Sequence, residues 1–277
     1  MNDSLASGEG GGSPGSGPET SVAGTIKSVL QLALLGFSSL AVLLVYQIVL
    51  YVGATATFGS IDTGSAAAQV ISVLSLGLAT GSLAALYIRY SDLDWSFVDL
   101  KWPSLRDVGL ALGGFVVLLL GFFAVTQLFT ILGINTAQHS TTESASQSGN
   151  PALLLPLIPL SLLIIGPGEE LLYRNVIQKS LYPKLGKPAA VGVASVIFAL
   201  VHIPAYAAGG AGWAAVGSTL LVIFVLSLVL GGSYALSGNI LVPAFIHGLY
   251  NALSFYATYT QMVNDSTEAL VTLFTLF

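Results

Sequence analysis

Cysteine is absent from this 277-residue chain, and charge is scarce: 8% of residues are Asp, Glu, Lys or Arg, against 54% hydrophobic, with a mean hydropathy of +0.85. The first absence excludes disulfides, thiolate metal sites and a thiol nucleophile, and it leaves the redox compartment unread. The second excludes an ordinary soluble domain, in which about a quarter of residues are charged. Only eight Lys and Arg are present, so no basic patch exists that would hold nucleic acid. The formal charge of −5 says little about partners, because the acids lie mainly in the amino-terminal tail and the connecting loops.

What is present is apolar length. Hydrophobic segments run at about 28–53, 66–88, 108–132, 152–173, 189–206, 213–236 and 240–259, each close to the roughly 20 residues that cross a 30 Å hydrocarbon core. The sequence therefore predicts an all-α fold: a polytopic transmembrane helical bundle of about seven spans over residues 25–277, in a cell membrane. Residues 1–24 are Gly/Ser-rich, acidic and free of Lys or Arg. They read as a disordered tail, the opposite of a signal peptide's basic start. The carboxy-terminal "EALVTLFTLF", residues 268–277, is too short to cross and is expected at the interface or packed on the bundle. No internal repeat and no separate soluble domain is visible.

Orientation follows from the basic residues, since Lys and Arg concentrate in short cytoplasmic loops. Lys27 precedes the first span; Arg89, Lys101 and Arg106 lie between the second and third; Arg174, Lys179, Lys184 and Lys187 follow the fourth. All fall on one side, which predicts a cytoplasmic amino terminus. The opposite loops, 54–65, 133–151 and 207–212, hold Asp62, His139 and Glu143 but no Lys or Arg. In the loop between the second and third spans, Trp95, Phe97 and Trp102 mix with charges, the composition of a segment resting among headgroups.

Ionisable groups in hydrocarbon cost at least about 2.5 kcal/mol near its centre, so they mark function more often than chance. Here they are Glu169, Glu170, Arg174, His202 and His247, with Asn251 as a polar companion, all in the later half of the chain. Residues four apart share a helix face. Glu170 and Arg174 are so related in "EELLYR", Phe198 and His202 in "FALVH", and His247 and Asn251 in "HGLYN". Each pair has a plain alternative: Glu170 with Arg174 as a structural ion pair, His202 and the His247–Asn251 pair as interhelical hydrogen-bonding glue. Glu169 resists that account, because once Glu170 takes Arg174 no cation is evident for it. His139, in a polar loop, is expected to be merely solvated.

Amide hydrolysis supplies a reason for the set. It needs a base to deprotonate water, a task for a desolvated carboxylate with a like charge beside it, and N–H donors for the oxyanion of the tetrahedral intermediate. Glu169 fits the first role and His247 with Asn251 the second, while His202 is placed to hold the water. The Pro167–Gly168 step ahead of the carboxylates is expected to kink the helix and admit water.

These three motifs, in this order within successive hydrophobic spans, resemble the CPBP intramembrane proteases, also called the Abi family, which includes the prenyl-protein endopeptidases that act on CAAX termini. The resemblance covers roughly residues 108–259. It implies an all-α membrane bundle with a cavity facing the cytoplasm, Glu169 as catalytic base, His202 positioning water, His247 and Asn251 as oxyanion donors, and Glu170 and Arg174 in support. The substrate implied is a membrane-associated or prenylated protein or peptide. Lipid is the other expected partner. No cofactor is favoured, since an HExxH helix is missing and no acidic partner for either His is apparent along the sequence; the alternative is a zinc metalloprotease with Glu170, His202 and His247 as ligands. A proton-coupled transporter with the same residues as a relay, or an inactive scaffold, are readings of other classes. One conflict stands: counted along straight helices, His247 lies about seven residues into its span and His202 about fourteen, too far apart in depth for one site unless the span that carries His202 is tilted, bent or starts below the bilayer.

Overall fold

The computed structural model describes residues 22–275, with side chains through Asp265. Most of the expected tail at 1–24 and the end of the carboxy-terminal segment lie outside the described residues. Everything regular among the described residues is helical. The long elements are α1 (Val22–Phe58), α2 (Ala66–Tyr90), α3 (Leu105–Leu132), the short α4 (Ser140–Ser148), the helical run α5 (Pro151–Ala207), α6 (Trp213–Ser237) and α7 (Leu241–Thr275).

Five of these, α1, α2, α3, α5 and α6, are by length and composition fit to cross a membrane, and they differ from the expected seven segments in two places. The segments expected at 152–173 and 189–206 belong to one run, α5, whose two arms meet at Gly186 (φ 71°, ψ 164°). That left-handed φ suits glycine, and Pro188 two residues later starts the second arm, where its missing N–H costs nothing. The other place is α7, whose hydropathy is diluted by His247, Asn251 and later polar residues. Two boundaries shift as well. α1 begins at Val22, inside the expected tail, and its 37 residues reach about 55 Å, well past a hydrocarbon core. The apolar stretch from residue 268 continues the backbone of α7 without a break to Thr275.

Two further differences concern local structure. The loop 133–151 contains α4, started by His139, whose Nδ1 accepts from the Thr141 amide at 3.2 Å, and ended by Gly149 in the left-handed region. Around Pro167, π-helical stretches at Ser161–Ile165 and Leu171–Gln178 flank the α-turn Gly166–Glu170. The wider π turn absorbs the amide that proline lacks, and such stretches gather at functional sites.

Apolar packing places the first arm of α5 at the centre. Residues 172–178 are all buried, with no solvent- or lipid-facing stripe, the pattern of a helix enclosed on every side. One core cluster joins Leu32, Leu83, Leu172, Val176, Ile177 and Phe198 across α1, α2 and both arms of α5. A second joins Leu118, Leu226, Val242 and Ile246 across α3, α6 and α7. A third, around Val73, Leu153, Leu154 and Leu157, closes the other end beneath α4.

Glycine permits the closest crossing. A Cβ on Gly166 would lie 2.5 Å from the Ala244 carbonyl oxygen and 2.9 Å from the Gly248 nitrogen; one on Gly248 would lie 2.7 Å from the Ser161 carbonyl oxygen. The first arm of α5 and α7 thus touch backbone to backbone, as small residues allow between membrane helices. Gly248→Ala should therefore lower the melting temperature and yield sharply, since backbone atoms cannot swing aside, whereas Gly113→Ala, where nothing lies within 4 Å, should be nearly neutral. Thermal melting in detergent compares them; a Gly248→Ala protein as stable as wild type would show that the helices separate freely.

At the basic end, three cations converge on the last carbonyls of α6. Lys187 donates to the Ala235 oxygen at 2.9 Å, Arg106 to Leu236 at 3.0 Å and Lys101 to Gly238 at 3.1 Å. Positive charge at a helix carboxy terminus is stabilising, by about 0.3–1 kcal/mol each when exposed. The loop between α2 and α3 clamps the same end: Lys179 pairs with Asp99 at 2.8 Å, and Tyr234 donates to that carboxylate at 2.7 Å. Trp95 and Trp102 stay exposed, 65% and 97%, as a headgroup-level segment would present them.

Candidate active site

The Gly166–Gly248 contact sets Glu169 and Glu170, three and four residues beyond Gly166, against His247, the neighbour of Gly248. Glu170 is wholly buried and both its oxygens are engaged. Oε2 accepts from Arg174 Nε at 2.9 Å, and Oε1 accepts from His247 Nδ1 at 2.9 Å. Arg174, equally buried, donates through Nη2 to Ser227 Oγ at 3.0 Å and stacks 4.8 Å from the centre of the Phe198 ring. A charged pair out of water survives only when its remaining hydrogen-bonding groups are met in this way.

Glu169 differs. Its nearest charged neighbour is His247 Nε2 at 3.6 Å, beyond a direct hydrogen bond, and 11% of its side chain stays accessible. Adjacent carboxylates therefore have unlike settings: one consumed by the fold, one nearly unpartnered at the edge of the buried cluster.

His202 joins through Phe198, whose ring lies 4.5 Å from that of His202 and 5.8 Å from that of His247. His202 Nδ1 donates to the Phe198 carbonyl at 2.7 Å. A carbonyl only accepts, so Nδ1 holds a proton and Nε2 is the nitrogen left for another partner. Asn251 sits one turn beyond His247 on α7, half-buried, with no hydrogen bond from its carboxamide to any described residue. The ring of Phe198 is the contact that links His202 and His247 between the second arm of α5, which begins after the turn at Gly186, and α7.

His139, expected to be solvated, is instead part of this end of the molecule. Its ring packs edge-on against Tyr206, centroids 5.3 Å apart, in the short helical turn that follows His202. Burial, with a smaller contribution from His202, pushes its imidazole down to about 4, so it is neutral at pH 7 and its Nδ1 is free to cap α4. Ser227, Asn175 and Gln178 were also not anticipated. Asn175 donates to Tyr234 Oη at 2.8 Å and Gln178 to the Gly231 carbonyl at 3.0 Å. The signal was there in "RNVIQ": three polar residues within five, in an otherwise apolar run.

Among the described residues no group of three or more His, Cys, Asp or Glu is placed to hold a metal ion. The trio named for zinc does not fit as it stands, because Arg174 and His247 occupy both oxygens of Glu170 and Glu170 occupies His247 Nδ1.

Residues 151–253 match the family model described as type II CAAX prenyl endopeptidase Rce1-like. The match spans all three motifs, and this segment is similar to the Rce1-like family, in keeping with the CPBP intramembrane proteases. The family is one of CAAX-type endopeptidases, which are hydrolases, and with five helices fit to cross a bilayer the chain is a membrane protein. No curated protein and no solved structure matches it.

Proposed function

We propose that this protein is an intramembrane endopeptidase that hydrolyses peptide bonds of membrane-associated or prenylated proteins and peptides, with Glu169 as the base. The observation that carries this reading is the unequal partnership of the two carboxylates. Glu170 is locked by Arg174 and His247, while Glu169 faces His247 Nε2 across 3.6 Å with room for a water's proton. Glu169 takes that proton as the water oxygen attacks the scissile carbonyl, and returns it to the leaving amine, so protons balance over the cycle. His202 Nε2, its tautomer fixed by the Phe198 carbonyl, accepts the water's second hydrogen. Asn251 and His247 donate to the oxyanion. Because Nδ1–H of His247 is committed to Glu170, donation through Nε2 requires a proton on both ring nitrogens. The basic end of the bundle, where α1 begins, faces the cytoplasm in this reading.

Metal removal is the direct test. Dialysis of purified protein against a strong chelator should leave cleavage of a membrane-associated peptide unchanged, with well under one zinc per chain by elemental analysis. Asn251→Ala should lower turnover by about a hundredfold, the usual loss on deleting one oxyanion donor. Chelator-reversible inactivation with stoichiometric metal would overturn the glutamate mechanism. Proton flux through liposomes without cleavage of any peptide would overturn the enzyme.

A further inference from the structure

Four buried side-chain atoms find no hydrogen-bond partner among the described residues: Arg174 Nη1, Asn175 Oδ1, Gln178 Oε1 and Ser195 Oγ. All four residues are 0% exposed. Buried polar groups in native proteins are almost always satisfied by protein or by bound water.

Three of these atoms belong to one seam, where the first arm of α5, its second arm and α6 meet. Gln178 and Arg174 stand one turn apart on the first arm. Opposite them, Gly231 and Ser227 stand one turn apart on α6: Gln178 Nε2 bonds the Gly231 carbonyl at 3.0 Å and Arg174 Nη2 bonds Ser227 Oγ at 3.0 Å. The third wall is the second arm. Val191 Cγ1 and Gln178 Oε1 both come within 3.0 Å of where a Gly231 Cβ would be, and Phe198 lies under the Arg174 guanidinium. Ser195 falls between Val191 and Phe198, so its hydroxyl is bracketed by the two rungs. The absence of a side chain at Gly231 keeps the seam open.

We propose that ordered water occupies this seam, bridging Arg174 Nη1, Ser195 Oγ and Gln178 Oε1, and forms a hydration path from the basic end of the bundle toward Glu169. Chemistry selects water over an ion. A guanidinium N–H must be accepted and an amide oxygen must be donated to, which an anion or a metal cation cannot do together and one water can. The path has polar groups at both ends. Outward, Gln178 Nε2 donates at 2.7 Å to the hydroxyl of half-buried Tyr182, next to Lys187. Inward, Arg174 leads through Glu170 and His247 to Glu169. Each peptide bond cleaved consumes one water, and the seam holds water inside the bundle against the network that ends at Glu169. That role rests on the proposed hydrolysis; the water site itself does not.

Radiolytic hydroxyl-radical labelling of the full chain in detergent, read residue by residue, tests the site without using activity. Bound water generates radicals in place, so buried Val191 should be oxidised several-fold faster than Val222, of the same type and similar burial in the α3–α6–α7 core, and Gln178→Leu should remove the excess. Equal rates in wild type would overturn the proposal. Ser195→Ala gives a second reading that survives a misfolded Gln178 variant. A bridged hydroxyl is stabilising, so the melting temperature should fall; an unchanged or raised value would mean a dry seam with an unpaired hydroxyl and would likewise overturn it. An inactive wild type with a labelled seam would count against the hydrolytic reading and not against the water.

Discussion

Glu169→Gln is expected to abolish peptide cleavage and leave the protein folded and inserted. The carboxamide keeps the volume and the carbonyl of the carboxylate but cannot take a proton from water, and loss of a general base costs about 10²–10⁴ in rate. Stability should hold, because the ionic contact of Glu169, to His247 Nε2, is long at 3.6 Å and its side chain keeps some access to solvent. Turnover of a membrane-associated peptide in proteoliposomes, alongside a thermal melt, makes the comparison. Wild-type turnover in the variant would sink the assignment of the base. A large drop in melting temperature would show instead that Glu169 is structural.

Arg174→Ala should do the opposite, lowering yield, stability and activity together. Removing the guanidinium strands the Glu170 carboxylate at 0% exposure, and breaking one side of a buried pair costs about 3–5 kcal/mol. It also empties the space over Phe198, so the ring that touches both His202 and His247 loses its support. Arg174→Lys should recover only part of the loss. An ammonium cannot serve Glu170 and Ser227 together in the planar fork that the guanidinium uses. A double variant, Glu170→Gln with Arg174→Met, should melt higher than Arg174→Ala alone, because no charge is left unpaired. Full stability and turnover in Arg174→Ala would refute the stranded-charge account.

The sequence made the membrane helices legible because hydropathy depends on composition over a window, not on neighbours in space. The segments at 66–88, 108–132 and 213–236 reappear within three residues as α2, α3 and α6. Pairs four apart revealed the Glu170–Arg174 bond for the same reason: that contact is local. What escaped depends on three-dimensional packing. Nothing in "LLYRNVIQ" announces a π turn, which forms because Tyr173, Asn175 and Gln178 each find partners on other helices. Ser227 is an unremarkable hydroxyl in an apolar helix until Arg174 reaches it. Pro167 suggested a local distortion, but not that it would take the form of a π stretch on either side. The depth conflict between His202 and His247 came from counting along straight helices, and the Phe198 ring that reaches both imidazoles is a contact between helices that no such count reveals.

The three cations on the end of α6 have a consequence for any attempt to probe membrane orientation by rewriting charge. Neutralising Lys101, Arg106 or Lys187 is the usual way to ask whether flanking charge directs a chain as it enters the bilayer. In the folded protein those side chains also hold the Ala235, Leu236 and Gly238 carbonyls. A variant that inserts backwards and one that inserts correctly but frays at α6 would both arrive as lost protein. Substitution by glutamine separates them: it deletes the charge seen by the insertion machinery yet keeps an N–H donor for the helix end. Lys27 and Arg89, which hold none of those carbonyls, are the cleaner positions for moving charge across the membrane.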